Sequence, residues 1–145
     1  MTSIPIHSDR APDPVGPYPH ASRVGDLIFV SGMGPRRKGD ADVPGVTLDK
    51  DGTVLEYDVA IQTRCVLENI RVTLEDAGSS FTNIVDVAVY LTDLKRDFAA
   101  FNKVYGEFFG GEGQPFPSRT TVEVSALPQG ASAPIAVEFK VIATV

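Results

Sequence analysis

The sequence predicts an α+β domain in which two helices cover one face of a mainly antiparallel sheet. Three observations carry the prediction. The chain runs strand, strand, helix, strand, helix, strand, strand. Two segments, Asp58–Ala77 and the stretch after Thr92, place apolar residues at helical spacing. Near the C-terminus, Pro117–Val124 alternates as a strand does, with a guanidinium, a hydroxyl and a carboxylate on one face. At 145 residues a single domain, 1–145, is expected, large enough to bury a core without disulfides. Two helices cover one face of such a sheet, and the other face is left to water or to another subunit.

The elements follow in order. Ile4-Pro5-Ile6 reads as an edge strand, where proline is tolerated. Ala11–Pro19 holds four prolines and is stiff and extended. Tyr18 lies between two of them, either as an aromatic lid on the core or as a ring lining a pocket. Ala21–Val24 and Leu27–Gly32 flank a Gly25-Asp26 hairpin turn, and the second run is apolar enough to be central. It ends in Ser31-Gly32, where a glycine admits close backbone approach, although an ordinary loop exit fits the fragment better. Residues 35–57 read as a long loop with a small hairpin turning at Asp51-Gly52. Arg36, Arg37 and Lys38 form a solvated face there or, beside an anion site, a second clamp.

Asp58 caps the first helix; Val59, Val66, Ile70, Leu74 and Ala77 form its apolar stripe, with Glu68, Asn69, Arg71, Glu75 and Asp76 on the wet side. Cys65, inside this pattern, reads as a buried structural thiol. Gly78 suits the left-handed position after the helix. Ile84–Leu91 is a strand with Val85, Val87, Val89 and Leu91 on one face. Phe98, Phe101, Tyr105, Phe108 and Phe109 make the stripe of the second helix, with Asn102 off it and Gly110, Gly111 and Gly113 ending it. In 117–124, Thr120, Val122 and Val124 are expected toward the core and Arg119, Thr121 and Glu123 on the open face. Ala126–Pro134 reads as a loop. Ile135–Thr144 is the last strand, with Ile135, Val137, Phe139 and Val141 inward and Glu138 and Lys140 joining Arg119 on the open face.

A net charge of −6 argues against non-specific nucleic-acid binding. One cysteine and two histidines make neither an internal disulfide nor a zinc cage, so no metal is expected. The N-terminal stretch has no apolar run resembling a signal peptide and no segment approaches a membrane span, so a cytoplasmic protein is expected. GMGPRR has glycines but does not open a helix, a weak phosphate-loop signal. The usable polar set is Arg119, Tyr18, Ser31, Thr121, Asn102, Glu123, Glu138 and Lys140. An arginine suits a planar carboxylate because it offers two parallel donors, and a nearby carboxylate or amine can move protons to and from water. That describes cofactor-free hydrolysis or tautomerisation of a small acid. By itself, an arginine on a strand more often makes a surface ion pair.

Several runs together resemble the Rid (YjgF-like, reactive intermediate deaminase) family. They are Ala-Pro-x-Pro-Val-Gly-Pro-Tyr18, Phe-Val-Ser31-Gly32, Val-Tyr-Leu-Thr-Asp93, Asp-Phe-Ala-Ala-Phe-Asn102, Phe-Pro-Ser-Arg119-Thr-Thr-Val-Glu-Val and Ile-Ala-Val-Glu138-Phe-Lys140-Val-Ile-Ala. The resemblance implies a chorismate-mutase-like fold with a six-stranded sheet, and a homotrimer with interfacial pockets. It implies cofactor-free hydrolysis of enamine or imine carboxylates to keto acids and ammonia. It assigns the substrate carboxylate to Arg119 and places Tyr18, Ser31, Gly32, Asn102 and Thr121 around it. Where deaminating members commonly carry a water-orienting glutamate, this chain has Lys140, with Glu138 two residues earlier on the same face. That departure, the Gly-Pro-Arg36-Arg37 loop and Tyr-Pro-His20 resemble the 2-aminomuconate deaminase branch, with Lys140, Arg36 or Arg37 holding the distal carboxylate. A general 2-aminoacrylate-type deaminase and a non-catalytic metabolite binder are the alternatives; the acidity disfavours a ribonuclease.

Overall fold

In the computed structural model, which describes residues 1–40, 42–128 and 134–145, the alternating segments pair into a six-stranded sheet. In chain order the elements are β1 (Ile4–Ile6), β2 (Ala21–Val24), β3 (Leu27–Val30), β4 (Val46–Leu48), β5 (Val54–Tyr57), α1 (Val59–Asp76), β6 (Ile84–Leu91), α2 (Leu94–Phe108), β7 (Ser118–Glu123) and β8 (Val137–Thr144). The sheet order is β1-β2-β3-β8-β6-β7, while β4 and β5 form a separate hairpin. Only β6 and β7 pair in parallel, because α2 carries the chain back between them. The expected α+β architecture is therefore present. Of the predicted loop Ala126–Pro134, residues 129–133 lie outside the described residues.

The helices begin and end where their capping chemistry says. Asp58 accepts from the Ala60 and Ile61 N–H groups, Asp93 accepts from Arg96 N–H, and Gly78 takes φ +81° after α1. The core lies between the helices and one sheet face. Val87, Val89, Leu91, Val137, Phe139 and Val141 are fully buried against Phe101, Leu67, Ile70 and Leu74. Phe139 lies 5.9 Å from the Phe101 ring and is stacked with Tyr105.

Five expectations need correction. The β6–β7 register pairs Val87 with Arg119 and Val89 with Thr121, so Arg119 and Thr121 share the helix-covered face. Thr120 and Val122 face the other way, with Glu138 and Lys140, which β8 pairs with Tyr90 and Ala88. The face assignment made for β7 is thus inverted: a strand this polar gives alternation but no sign. Val85 is 44% exposed because the β6–β8 register slips between Ile84 and Asp86, and Ile84 is buried instead. Phe98 is 39% exposed near the start of α2, its ring 5.9 Å from the Arg119 guanidinium carbon rather than in the core. Asn69 is buried, its amide donating to Gly34 O at 3.0 Å and Arg36 O at 2.7 Å. Cys65 is half-exposed, turned toward Arg37 rather than into the core.

Gln62 of α1 is fully buried and behaves as a strand edge. Its Oε1 accepts from Ala136 N–H at 2.8 Å and its Nε2 donates to Pro134 O at 3.0 Å. The approach to β8 is thereby held to α1 by two hydrogen bonds that a backbone neighbour would otherwise make. Gln62→Leu keeps the volume but strands both groups, so an expected loss of roughly 2–4 kcal/mol follows. Urea unfolding checks this as a lowered midpoint at unchanged slope.

Candidate functional site

Two clefts, on opposite faces of the sheet, contain the candidate residues. The first, about 60 Å³, is lined by Tyr18, Ser31, Gly32, Arg36 and Glu138. It is built at the end of β3. Ser31 N–H donates to His20 O at 2.9 Å and Ser31 Oγ donates to Pro19 O at 2.7 Å, which ties the strand end to the proline-rich segment carrying Tyr18. Tyr18 is 40% exposed and forms a wall of this cleft rather than a lid on the core. His20 fixes the same segment: Nδ1 accepts from Ser8 N–H at 3.0 Å, leaving Nε2 to donate to Pro12 O at 2.9 Å.

Met33 and Phe139 exchange both backbone hydrogen bonds, at 2.8 and 3.0 Å, so the chain at Gly32 passes across Glu138. A Cβ on residue 32 would stand 2.8 Å from Glu138 Oε2. The glycine is therefore what admits the carboxyl group, not an ordinary loop exit. Glu138 makes no hydrogen bond or ion pair among the described residues, and burial pushes its pKa up. Arg36 also lines the cleft without a carboxylate partner among those residues, its backbone carbonyl held by Asn69. Lys140 shares this sheet face but not this cleft. Its Nζ donates to Val30 O at 2.8 Å, and burial lowers its pKa.

The second cleft, about 330 Å³, lies at the seam of α2 and β7 and is lined by Arg119, Asn102, Tyr105, Phe116 and Pro117. Arg119 Nη1 donates to Asn102 Oδ1 at 2.7 Å, and its guanidinium carbon lies 4.6 Å from the centre of the Tyr105 ring and 5.2 Å from that of Phe101. It pairs with no carboxylate among the described residues. Burial pushes the Tyr105 hydroxyl up to about 12, against the pull of the Arg119 charge, so it stays protonated. Tyr105 Oη and Thr121 Oγ1 are buried without a hydrogen-bond partner among the described residues.

The structure thus joins Tyr18, Ser31, Gly32, Arg36 and Glu138 at one place and Arg119 and Asn102 at another, with Thr121 two residues along the same strand face. Lys140 belongs to neither lining. Sequence reasoning used His20 only as part of the resemblance and gave it no place in the site, and it missed Asp13 in the first cleft and Phe116 and Tyr105 in the second. Only Tyr105 carried a helical signal, and that signal read as core.

The class of protein is an α+β domain with a six-stranded sheet under two helices, and among the described residues an arginine without a carboxylate partner lies in one cleft and a glutamate without a cationic one in the other. The family model described as Endoribonuclease L-PSP matches residues 8–145. A RutC family protein of Pyrococcus abyssi is 42% identical over 130 residues, 89% of this chain and 90% of the relative. TdcF of Escherichia coli, whose curated name makes it a candidate reactive intermediate deaminase, is 34% identical over 124 residues, 86% of each chain. The crystal structure of TdcF with bound serine superposes with a TM-score of 0.81 at 32% identity, covering 98% of both chains. The YjgF gene product of E. coli gives a TM-score of 0.80 at 33% identity, over 97% of this chain and 98% of that one. The chain belongs to the Rid (YjgF-like) family, and its fold is the family's chorismate-mutase-like one.

The raised pKa of Glu138 sets a sign for stability. The fold favours the neutral acid, so the stabilisation is complete below the ordinary value of 4.5 and is lost as pH rises through the raised pKa. Glu138→Gln, uncharged throughout, escapes that loss. Melting temperatures of the two proteins from about pH 4 to about pH 8 are expected to diverge in the variant's favour as pH rises.

Proposed function

We propose that the protein hydrolyses an enamine or imine carboxylate to a keto acid and ammonia, without a cofactor, and that its substrate is 2-aminomuconate, in the degradation of aromatic compounds. The observation that carries this reading is Arg119. Its guanidinium is held by Asn102 and Tyr105, yet it has no carboxylate partner among the described residues. An anchored arginine of that kind suits the carboxylate next to the reacting carbon. Glu138 is the acid–base group: half-buried, without a partner among the described residues, and with its pKa raised by burial, it can lend and recover a proton. Protonation of the enamine at C3 gives the iminium ion. Water adds to C2, its proton passes to the nitrogen, and collapse expels ammonia and leaves the carbonyl. The sum is substrate plus water to keto acid plus ammonia. Arg36 supports the dicarboxylate substrate, since it lines the Glu138 cleft and is free to hold the distal carboxylate. Lys140 adds positive charge on the same sheet face in place of a second carboxylate.

One chain cannot bring Arg119 and Glu138 to one small molecule, because they lie on opposite sheet faces. In this reading the site forms between subunits of a homotrimer, the Arg119 cleft of one against the Glu138 cleft of the next. The unpartnered Tyr105 and Thr121 hydroxyls support a partner or ligand there, as does the 40% exposure of Val122 on the open face. The serine bound to TdcF favours a second reading, a general deaminase of small amino-acid-derived imines such as 2-aminoacrylate.

Ammonia release from freshly generated 2-aminomuconate and from 2-aminoacrylate, measured in parallel, separates these. Faster turnover of the muconate supports the first reading, faster turnover of 2-aminoacrylate the second, and release from neither a binding protein. Lys140→Glu is expected to shift preference toward 2-aminoacrylate; the opposite shift removes the distal-charge argument. Arg119→Ala is expected to lower kcat/KM by roughly a hundredfold or more, two charged hydrogen bonds being lost. Mixing inactive Arg119→Ala and Glu138→Gln chains through unfolding and refolding is expected to restore about a quarter of the sites, because each shared site draws one residue from each neighbour. No recovery on mixing sinks the interfacial arrangement.

A further inference from the structure

Away from both clefts, α1, α2 and the 35–40 turn enclose a groove of about 510 Å³. Four cationic side chains line it: Arg10, Arg37, Lys38 and Arg64. Three of them already face carboxylates. Arg10 pairs with Asp76 at 2.7 Å and Glu75 at 3.2 Å, Lys38 with Asp13 at 2.6 Å, and Arg64 with Glu107. Arg37 does not. Its Nη2 rests on Cys65 Sγ at 3.7 Å, a weak acceptor, and it makes no ion pair among the described residues. The one acid in the lining, Glu68, is taken by Arg71 from the same helix. The lining is completed by Asn69, Val72, Cys65 and Phe108. A protein of net charge −6 thus keeps an unneutralised guanidinium over an apolar surface, with two half-exposed arginines beside it.

The groove is separate from the Glu138 cleft although adjacent arginines serve the two. Asn69 holds the Gly34 and Arg36 carbonyls against α1, and from that turn Arg36 lines the cleft while Arg37 lines the groove. Tethering at both carbonyls fixes the course of the turn from which Arg37, itself exposed, lines the groove.

We infer that this groove is a second binding site, for a small organic dianion whose charged end is held by Arg37 and whose carbon body lies on Val72 and Phe108. Carboxylate and phosphate share the geometry a guanidinium recognises, and each is served by paired donors. Arg10 and Arg64 each have donors beyond those spent on their own carboxylates, and supply the flanking contacts.

Cys65, the only cysteine of the chain, lies in the groove and reports on it. The rate at which uncharged iodoacetamide alkylates the intact protein is measured against succinate and against glycerol phosphate, with sodium chloride holding ionic strength constant. Saturable slowing by either probe is expected, and the tighter of the two identifies the preferred head group. Arg37→Ala, an exposed change, is expected to weaken that protection about tenfold, the loss of one charged hydrogen bond. Arg119→Ala is expected to leave it unchanged. Three results overturn the inference: no saturable slowing by either dianion, equal protection in Arg37→Ala, or protection lost in Arg119→Ala. The last would mean that the probes act through the other site.

Discussion

The site depends on the alternation of β8, the strand held between β3 and β6. Val137, Phe139 and Val141 are fully buried against the helices, which forces Glu138 and Lys140 to the opposite face. A slip of one residue would expose three large apolar groups, each worth about 1.5–3 kcal/mol, and would drive a carboxylate and an ammonium into the core. The register is therefore fixed by packing, and the placement of Glu138 opposite Gly32 follows from it. Parallel pairing of β7 with β6 does the same for Arg119: its neighbours Val87 and Val89 are core residues, so the arginine must emerge on the helix side. It finds its place there beside the middle of α2, where Tyr105 and Phe101 give the guanidinium a floor and Asn102 is its acceptor.

Helix α1 then positions what the sheet cannot. Its apolar stripe packs on β8 and β3, but two buried amides on its flank reach past the sheet to irregular backbone. Gln62 takes the residues leading into β8, and Asn69 takes the turn that carries Arg36 and Arg37. Irregular segments gain little from burial and lose much in chain entropy, so they need specific polar partners to hold one course. Two segments of the Glu138 cleft, the β8 approach and the 34–36 turn, are thereby referred to one helix. A displacement of α1 would move them together.

The fold was legible in the sequence because its determinants are local and periodic. Val59–Asp76 and the small hairpin at Gly52 fall within a residue or two of expectation, as do the inward positions of β8. The residues of the first cleft were not legible in this way: local pattern left Tyr18 open and read Ser31-Gly32 as a loop exit, and only the family resemblance put them beside Arg119, whereas the structure gathers Tyr18, Ser31, Gly32 and Glu138 in a different cleft. What alternation could not supply was its sign in a strand with no dominant apolar face. Ser118–Glu123 alternates cleanly, yet its Thr and Val positions look no less suited to a core than those of Arg119 and Thr121. The deciding fact is the partner strand, a long-range contact invisible in the six residues themselves. Asn69 and Cys65 were misread for a kindred reason. One is buried by loop carbonyls distant in sequence and the other exposed by a turn that leaves room beside it.

Charge pairing gives the last step. Among the described residues most cations have a partner at hand: Arg10, Arg64, Arg71 and Lys38 meet carboxylates, Arg96 lies against Asp97 and over the Tyr57 ring, and Arg23 donates to Gly25 O. Among the arginines, those with neither an ion pair nor a backbone acceptor are Arg36, Arg37 and Arg119, and each of them lines a cleft or groove; Lys50, Lys95 and Lys103 also lack a partner among these residues and line none of these clefts. Glu138 is the matching exception among the half-buried carboxylates. An ionised group kept from its natural counter-ion costs free energy unless water or a ligand supplies one. In a chain with nineteen acids and thirteen bases, counter-ions for three arginines are not scarce. Carboxylates even lie in the same linings, Asp13 and Glu138 with Arg36 and Glu68 with Arg37, yet Asn102 holds Arg119, and the Asn69-bound turn carries Arg36 and Arg37, without an ion pair forming. That arrangement keeps their donors available for an acid that comes from solution.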